Sequence, residues 1–302
     1  MNITIDPNAG FCWGVVRTVE IAEQHLDNEG PLYVLGHIIH NPDEIKRLDD
    51  KGLTSVTVDD LERLAEEGAS KVLVRAHGEP PSTYRKAMEL GIEIIDATCP
   101  VVTKLQERVR KFYDQGYQIV LFGKKDHAEV IGVRGVCRDE CIVVKSVEEA
   151  IEEVRFDRPT VLFSQTTMDR PTFLQIKEAL EERVQELIVD SHENIATEFH
   201  AKDTICGQVS GREDKLAAFA RSQDAMIFIA GRASSNGKVL YDVCRAANPD
   251  THFIEHIIEL QNDWLHGKQN VGISGATSTP HWLMNDLRDE IARRVEMGLI
   301  HA

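Results

Sequence analysis

The chain has 302 residues and lacks the features that mark membrane or secreted proteins. No apolar run approaches the roughly 18 residues that suggest a membrane span. The N-terminal segment Met1–Asp6 has neither the basic nor the apolar region of a signal peptide. We therefore expect a cytoplasmic location.

Positive charge is also scarce. The chain carries 34 Lys and Arg residues against 50 Asp and Glu residues, which gives a formal net charge of −16. This balance argues against a nucleic-acid partner, because phosphate backbones bind to a basic face. Any anionic ligand must therefore bind at a local site, such as a helix N-terminus with histidine and hydroxyl side chains. Neither a Walker-type loop nor a complete Gly-x-Gly-x-x-Gly follows a first strand, so nucleotide binding is not indicated.

Cysteine is too rare for a disulfide framework, since only six are present in a chain that we expect in the cytoplasm. Three of them, Cys12, Cys99 and Cys206, each precede a segment with helical periodicity. The other three are interpreted as small apolar side chains of strands and helices, and they are Cys137, Cys141 and Cys244. A metal-binding pair within Cys137-x-x-x-Cys141 is a further alternative for two of these.

Short apolar segments rich in β-branched residues alternate with segments of helical periodicity along the whole chain. This alternation predicts an α/β fold with mainly parallel sheets covered by helices. The predicted strands include Leu32–Gly36, Lys71–Ala76, Gly91–Asp96, Gln118–Gly123, Thr160–Gln165, Ala225–Ala230 and Gln269–Ser274, and the predicted helices include Val101–Asp114, Pro171–Arg183 and Lys238–Ala247.

An internal repeat is the most informative feature of the sequence. A polar residue at the end of a glycine-bearing apolar strand follows each of the three cysteines by 28 residues, and these residues are His40, His127 and Ser234. Each repeat then has a second polar strand end, marked by His77, Thr166 and Ser278. The repeat predicts three α/β units, at residues 1–98, 99–205 and 206–302.

The repeated positions indicate a shared metal site. A helix N-terminus favours the thiolate form of cysteine, which is the form that binds metal. Three thiolates suit a 4Fe–4S cluster with one open iron, or a zinc ion with one open position. Ligands of open parallel sheets bind beyond the C-terminal strand ends. We therefore expect three similar units to direct three cysteines and six polar loops to one central point.

The polar strand ends predict an anion site. His40 is followed by Asn41-Pro42, a good N-cap and first helical residue, and His127 and Ser234 occupy the equivalent places. Histidine and hydroxyl side chains beside free backbone N–H groups can hold phosphate oxygens. Glu129 is an acid that occurs in one repeat only. We interpret it as a proton donor to a leaving hydroxyl, with helix-dipole complementarity as the alternative.

These residues together resemble the 4-hydroxy-3-methylbut-2-enyl diphosphate reductase family. The motifs that carry the resemblance span almost the whole chain in order: Gly10-Phe11-Cys12-x-Gly14-Val15, Ile39-His40-Asn41-Pro42, Ala76-His77-Gly78, Asp96-Ala97-Thr98-Cys99-Pro100, His127-x-Glu129-Val130-x-Gly132, Gln165-Thr166-Thr167, Asp203-Thr204-Ile205-Cys206, Ser234-Ser235-Asn236 and Ser278-Thr279-Pro280.

The resemblance implies a pseudo-threefold trefoil around a 4Fe–4S cluster that Cys12, Cys99 and Cys206 hold. It implies that Thr166 lies near the substrate hydroxyl and that Glu129 belongs to the relay that protonates it. It also implies a ferredoxin or flavodoxin-type electron donor and a monomeric chain. The residues that it assigns to the diphosphate are His40, His77, His127, Ser234, Ser235, Asn236 and Ser278.

A few positions depart from the family pattern. Val209 stands where threonine is usual, His281 stands where aspartate is usual, and Gly275-Ala276-Thr277 replaces a more common Ala-Gly-Ala. A paralogue that reduces another allylic diphosphate is therefore the main alternative. A non-catalytic redox or iron sensor is a second alternative. Glu129 and the phosphate residues argue against it, because a sensor would need neither. Zinc-dependent hydrolysis at the three thiolates is a third alternative, which the visible absorption of anaerobically purified protein distinguishes.

Overall fold

The computed structural model describes residues 1–190 and 198–301. No helix within these ranges is long and apolar enough to cross a membrane. By their internal contacts the described residues form two compact units. Unit 1 comprises residues 1–32, 37–55 and 207–302, and unit 2 comprises residues 33–36 and 56–206.

Strands and helices alternate along the chain, as expected for an α/β protein. The elements are β1 (Asn2–Ile5), α1 (Trp13–Asn28), β2 (Leu32–Leu35), α2 (Pro42–Asp49), β3 (Leu53–Val56), α3 (Leu61–Glu66), β4 (Lys71–Val74), α4 (Pro81–Glu89), β5 (Glu93–Asp96), α5 (Pro100–Asp114), β6 (Gln118–Phe122), α6 (Ala128–Val136), β7 (Ile142–Val144), α7 (Val147–Glu153), β8 (Thr160–Ser164), α8 (Arg170–Asp190), β9 (Phe199–Ala201), α9 (Gly207–Arg221), β10 (Ala225–Ile229), α10 (Ser235–Ala247), β11 (Thr251–Ile254), β12 (Asn270–Gly275) and α11 (His281–Glu296).

The twelve strands form three four-stranded sheets of the same topology. Their strand orders are β3-β2-β4-β5, β7-β6-β8-β9 and β11-β10-β12-β1. Neighbouring strands pair in parallel in all three sheets. The predicted α/β class with mainly parallel sheets is confirmed.

The three sheets correspond to the sequence repeat strand by strand, with one exchange. β1 lies near the N-terminus but pairs with β12, so it occupies the edge that β5 and β9 occupy in the other two sheets. The unit boundaries at residues 98/99 and 205/206 stay a prediction. β1 is the one described strand that pairs outside the segment in which those boundaries place it.

Burial is deepest in the central strands. β6, β8 and β10 are buried along their whole length, because helices cover both faces of a parallel sheet. Two apolar cores result: β10 and β12 pack with α11 in one cluster, and β6 and β8 pack with α8 in another. Such burial stabilises each apolar side chain by about 1.5–3 kcal/mol relative to exposure. The rigid strands fix the positions of the loops at their C-terminal ends.

Candidate functional site

All six polar loops of the predicted site directly follow a central strand. β2 leads to His40, β4 to His77, β6 to His127, β8 to Thr166, β10 to Ser234 and β12 to Ser278. The equivalence of the six loops is therefore a property of the sheets as well as of the sequence. The C-terminal ends of parallel strands are where ligands bind in such folds.

Each predicted cluster cysteine begins a helix. Cys12 is the N-cap residue of α1, Cys99 is the N-cap residue of α5, and Cys206 directly precedes α9. All three thiols are half-buried and free of disulfide bonds. Pro100 occupies the first position of α5, where its missing N–H has no helical partner to lose.

The three cysteines share a backbone anchor. The N–H of Cys12 donates to the carbonyl of Thr277 at 3.2 Å, that of Cys99 to Ala76 at 3.0 Å and that of Cys206 to Thr166 at 2.8 Å. Each acceptor lies in the loop after β12, β4 or β8, which are equivalent strands. The same bond thus ties Cys99 and Cys206 to the second polar loop of the preceding repeat, and Cys12 to the second polar loop of the last repeat. The sequence repeat predicted equivalent cysteines, but it did not reveal this pairing.

Three hydroxyl and amide side chains in unit 1 lie together in a polar cluster, defined here as Ser234, Asn236 and Ser278. All three are at least 94% buried, which means that their polar atoms are screened from bulk water. The Oγ atoms of Ser278 and Ser234 lie 3.4 Å apart, and Ser278 Oγ also lies 3.4 Å from the carbonyl oxygen of His40. Ser234 is the N-cap of α10, and its Oγ accepts from Gly237 N–H at 3.0 Å. Ser235 is the first residue of this helix.

Asn236 is oriented by a residue that the sequence analysis did not assign to the site. Its Oδ1 accepts from the N–H of Thr277 at 2.9 Å, while its Nδ2 is buried without a hydrogen-bond partner. A buried amide donor without a partner costs about 1–3 kcal/mol, so the arrangement favours an acceptor ligand at Nδ2. Thr277 therefore holds both Cys12 and Asn236. The position of Thr277 directly before Ser278 in the repeat was the sequence signal that could have indicated this role.

His40 is held in this unit by two packing features. A Cβ atom at Gly231 would lie 2.2 Å from the carbonyl oxygen of His40, so only glycine permits this close approach of the two loops. Asn41 caps α2 by accepting from Glu44 N–H at 3.0 Å. The buried carboxylate of Glu44 accepts from Arg47 at 2.6 and 2.8 Å and from Trp282 Nε1 at 2.7 Å. This network fixes the start of α2 and with it His40.

His77 and His127 lie together in unit 2. Their rings pack edge to face with centroids 5.3 Å apart. His127 is the N-cap of α6, and its Nδ1 accepts from Glu129 N–H at 3.2 Å. When the ring is neutral, its proton is therefore on Nε2, which makes Nε2 a hydrogen-bond donor.

The loop that carries His77 approaches α6 closely because α6 has glycine on that face. A Cβ atom at Gly135 would lie 2.3 Å from Pro80 Cβ, and a Cβ atom at Gly132 would lie 2.8 Å from Gln106 Nε2. Gly132 was part of a sequence motif, whereas Gly135 was not. Gly135 thus allows the loop after β4 to lie against α6, and Gly132 leaves room for the side chain of Gln106 from α5.

Glu129 and Thr166 form a buried acid–hydroxyl pair. Thr166 N–H donates to Glu129 Oε1 at 2.7 Å, and Thr166 Oγ1 donates to Oε2 at 2.8 Å. Glu129 is 1% exposed and Thr166 is 5% exposed. Burial raises the pKa of Glu129 to about 7, although the two hydrogen bonds from Thr166 act in the opposite direction. An acid with a pKa near neutrality can both hold and release a proton at physiological pH.

The donor chemistry of these residues fits an iron–sulfur group. Thiolates are the usual protein ligands of such clusters, and the three half-buried thiols sit at structurally equivalent helix starts. Cys137 and Cys244 differ, because both are 0% exposed within apolar clusters. Cys12 in unit 1, and Cys99 and Cys206 in unit 2, therefore have the exposure and the helix-start position that suit metal ligands.

The comparisons with known proteins agree with this description of the fold. A family model described as LytB protein matches residues 3–292. A 4-hydroxy-3-methylbut-2-enyl diphosphate reductase from Chloroherpeton thalassium is 46% identical over 306 residues, which cover 96% of both chains. A second reductase of this name, from Parabacteroides distasonis, is 43% identical over 300 residues and 98% of both chains.

A solved structure of (E)-4-hydroxy-3-methyl-but-2-enyl diphosphate reductase, the terminal enzyme of the non-mevalonate pathway, is similar to this chain with a TM-score of 0.69. It is 35% identical, over 97% of this chain and 100% of the other. The family model covers most of the chain and the relatives match it at nearly full length, so the resemblance seen in the sequence motifs is confirmed. The chain belongs to the LytB protein family.

Proposed function

We propose that this chain is a 4-hydroxy-3-methylbut-2-enyl diphosphate reductase. The reaction takes two electrons and two protons, removes the substrate hydroxyl as water, and gives isopentenyl or dimethylallyl diphosphate. The names of the relatives support this substrate. The single observation that carries the proposal is the buried Glu129–Thr166 pair, since a leaving hydroxyl needs a positioned acid.

Cys12, Cys99 and Cys206 are the proposed ligands of a 4Fe–4S cluster. When bound, the cluster would supply electrons and a Lewis-acidic iron for the hydroxyl oxygen of the substrate. The backbone bond from each cysteine N–H to a loop carbonyl holds each sulfur at a fixed strand end. Zinc at the same thiolates is the alternative for the metal, and it predicts a colourless protein.

The diphosphate is proposed to bind through neutral donors, because the net charge of −16 offers no general attraction for an anion. In unit 1 the donors are the hydroxyls of Ser234 and Ser278 and the amide Nδ2 of Asn236, with Ser235 at the start of α10 and His40 nearby. In unit 2 the donors are His77 and Nε2–H of His127. Donors at helix N-termini also gain from the positive end of the helix dipole.

Proton delivery is proposed to run from Glu129 through Thr166. A protonated Glu129 can donate its O–H to Thr166 Oγ1, and Thr166 can then donate its own hydroxyl proton to the substrate oxygen. The 2.8 Å separation between Thr166 Oγ1 and Glu129 Oε2 is suitable for this transfer. Glu129 is the proposed acid, and Thr166 and His127 are the proposed residues next to the reacting group.

Two of the departures from the family pattern, Val209 and His281, lie outside this set, whereas Thr277 contacts it through its backbone. Val209 is 3% exposed in the first turn of α9, where it packs as an apolar residue. His281 begins α11 and lies against Gly10, where a Cβ atom would meet His281 Nε2 at 2.6 Å. Neither substitution removes a proposed ligand of the cluster or the diphosphate.

Three further parts of the account are proposals as well. The chain is organised as three α/β units, the electron donor is a ferredoxin or flavodoxin-type protein, and the enzyme is a monomer in the cytoplasm. The equivalent strand orders of the three sheets support the first of these.

An anaerobic assay tests the proposal. The protein is purified without oxygen, reduced with an artificial one-electron donor and mixed with 4-hydroxy-3-methylbut-2-enyl diphosphate. We expect a brown protein that releases both isopentenyl and dimethylallyl diphosphates. A brown protein that binds the substrate without turnover would favour a sensor, faster reduction of another allylic diphosphate would favour a paralogue, and a colourless protein would favour zinc.

A further inference from the structure

The turn between α6 and β7 brings two thiols together outside the proposed active site. Cys137 caps the C-terminal end of α6, and Cys141 directly precedes β7. The N–H of Glu140 donates to the carbonyl of Cys137 at 2.9 Å, which closes a tight turn between them. Its two central residues, Arg138 and Asp139, have φ angles of 52° and 62°. Both thiols contact the same apolar cluster beneath the turn.

The left-handed conformation of the turn is unfavourable for both central residues, since neither is glycine. Arg134 compensates in part, because its guanidinium lies 3.1 Å from the Asp139 carboxylate and its carbonyl accepts the N–H of Asp139 at 2.9 Å. Glu140 is also held, by the hydroxyl of Tyr113 at 2.9 Å. The chain thus maintains a strained turn with three specific contacts, and the result is the proximity of two sulfur atoms.

The Sγ atom of Cys137 contacts the carbonyls of Val133 and Arg134 at 3.5 and 3.4 Å, and the two thiols of the turn interact with each other. The S–H of Cys141 stabilises a thiolate at Cys137, which lowers the pKa of Cys137, while the same pairing and burial raise that of Cys141. Arg134 supplies positive charge near Cys141. Cys137 is fully buried, whereas Cys141 is half-buried and reachable from solvent.

Cys244 shows what a structural thiol looks like in the same protein. It is 0% exposed within an apolar cluster, its Sγ contacts Thr251 Oγ1 at 3.7 Å, and burial raises its pKa to about 11. A thiol of this kind is inert. The sequence indicated an apolar role for all three of Cys137, Cys141 and Cys244. In the structure Cys137 and Cys141 lie in one turn and pack on the same apolar cluster, whereas Cys244 is buried in a different one.

We propose that Cys137 and Cys141 are a reversible dithiol–disulfide pair that exchanges with low-molecular-weight disulfides. Cys141 passes its S–H proton to the Cys137 thiolate as its Sγ attacks one sulfur of the small disulfide, so a mixed disulfide forms and the small thiolate that leaves takes the proton back from Cys137. The thiolate of Cys137 then attacks Cys141 Sγ, so the intramolecular S–S bond forms and the second small thiol leaves. Two electrons pass from the protein to the small disulfide.

The position of the pair favours reversible oxidation over a permanent cross-link. The disulfide would close a loop of only a few residues, and short loops gain little stabilisation from a cross-link. A disulfide in a strained, exposed turn is also more easily reduced than a relaxed and buried one. The turn residues Arg138, Asp139 and Glu140 are all exposed.

Peptide mapping of the complete protein tests this proposal. The anaerobically purified protein, with its cluster followed by visible absorption, is equilibrated with glutathione and glutathione disulfide at increasing ratios of disulfide to thiol. Free thiols are then alkylated and the protein is digested with trypsin. Cleavage after Arg134, Arg138 and Lys145 leaves Cys137 and Cys141 on separate peptides, 135–138 and 139–145. We expect these two peptides to become disulfide-linked and to separate again in excess glutathione.

Two variants serve as controls. Cys137→Ala should give a mixed disulfide between glutathione and Cys141 without a linked peptide, whereas Cys244→Ala should form the linked peptide as the unchanged protein does. The proposal is overturned if both thiols remain alkylatable at every ratio. It is also overturned if the unchanged protein accumulates the mixed disulfide at Cys141 without closing the bond to Cys137.

Discussion

The polar cluster of unit 1 and the acid–hydroxyl pair of unit 2 are both buried at the C-terminal ends of central strands, but their chemistry differs. Ser234, Asn236 and Ser278 are neutral, so this cluster keeps the same charge across the physiological pH range. Glu129 is ionisable, and burial brings its pKa to about 7. In the proposed roles, one repeated architecture supplies substrate binding in one place and proton transfer in another. The difference rests on one acid that appears in a single repeat.

The largest expected effect comes from the proposed cluster ligands. Cys99→Ser should abolish the brown chromophore or make it unstable, because one of three thiolates is lost. Iron and sulfide analysis after anaerobic purification measures the effect. Cys244→Ala is the matched control and should retain full cluster content. Full iron and sulfide in the Cys99→Ser protein would show that the ligand assignment is wrong.

The hydroxyl of Thr166 should matter more for rate than for folding. Thr166→Val removes the proposed relay atom while keeping the side-chain shape, so turnover should fall by a factor on the order of 10². The pKa of Glu129 should rise further, since the hydrogen bonds from Thr166 lower it. Steady-state kinetics across pH measures both effects.

Thr204 offers a comparison for that variant. Its Oγ1 accepts from Ser164 N–H at 2.9 Å and donates to the carbonyl of Ser164, so its bonds are to the backbone alone. Thr204→Val should reduce stability by about 1–3 kcal/mol and leave turnover of the folded protein near normal. Equal losses of turnover in the two variants would contradict a relay at Thr166.

The two regions should also respond differently to pH. The pKa of Glu129 is about 7 in the folded chain against an ordinary value of 4.5, so the folded state binds more protons than the unfolded state between these values. The contribution of Glu129 to stability is therefore fully present below about pH 4.5 and is lost as the pH rises through about 7. This shift in pKa corresponds to a loss on the order of 3 kcal/mol in the free energy of unfolding as the pH rises.

Glu129→Gln isolates this effect, because glutamine does not titrate. Urea unfolding under anaerobic conditions at about pH 5 and about pH 8 should show a smaller pH-dependent loss in the variant than in the unchanged protein. A parallel pH dependence in the two proteins would mean that Glu129 is already ionised in the folded chain.

The smallest effect is expected in the neutral cluster. Asn236→Ala removes the buried Nδ2 donor, and substrate binding should weaken by about 1–3 kcal/mol with the cluster intact. Isothermal titration with substrate and oxidised enzyme measures the affinity. Asn28→Ala, at the exposed C-terminal end of α1, is the control and should bind normally. Unchanged affinity in Asn236→Ala would place the phosphates elsewhere.

The sequence predicted the centre of each sheet better than its edges. All six central strands were predicted, because buried parallel strands give near-continuous apolar segments, as in Gln118–Phe122 and Ala225–Ile229. The edge strands β1, β3, β7, β9 and β11 were not among the predicted strands, and they are short and largely half-exposed. Their apolar pattern is too weak to distinguish them from loops. β5 is an edge strand that was predicted nonetheless.

The repeat predicted the equivalence of the site residues but not the contacts that hold them. The N-cap positions of Cys12, Cys99 and Ser234 follow from local sequence and agree with the structure. The bond from Cys12 to Thr277 joins residues at opposite ends of the chain, and no local pattern encodes it. The raised pKa of Glu129 likewise depends on burial that only the packed fold supplies.

The most direct test of the account is a single turnover by Glu129→Gln. The cluster is reduced in advance, a stoichiometric amount of 4-hydroxy-3-methylbut-2-enyl diphosphate is added, and products are quantified after rapid quenching. Glu148→Gln, which changes an exposed first-turn acid of α7, serves as the matched control. If Glu129 delivers the proton, its variant should bind substrate with an intact cluster but release product slower by a factor on the order of 10²–10⁴, while the control keeps the normal rate. Product formation by Glu129→Gln at the rate of the unchanged protein would contradict the proposed proton delivery.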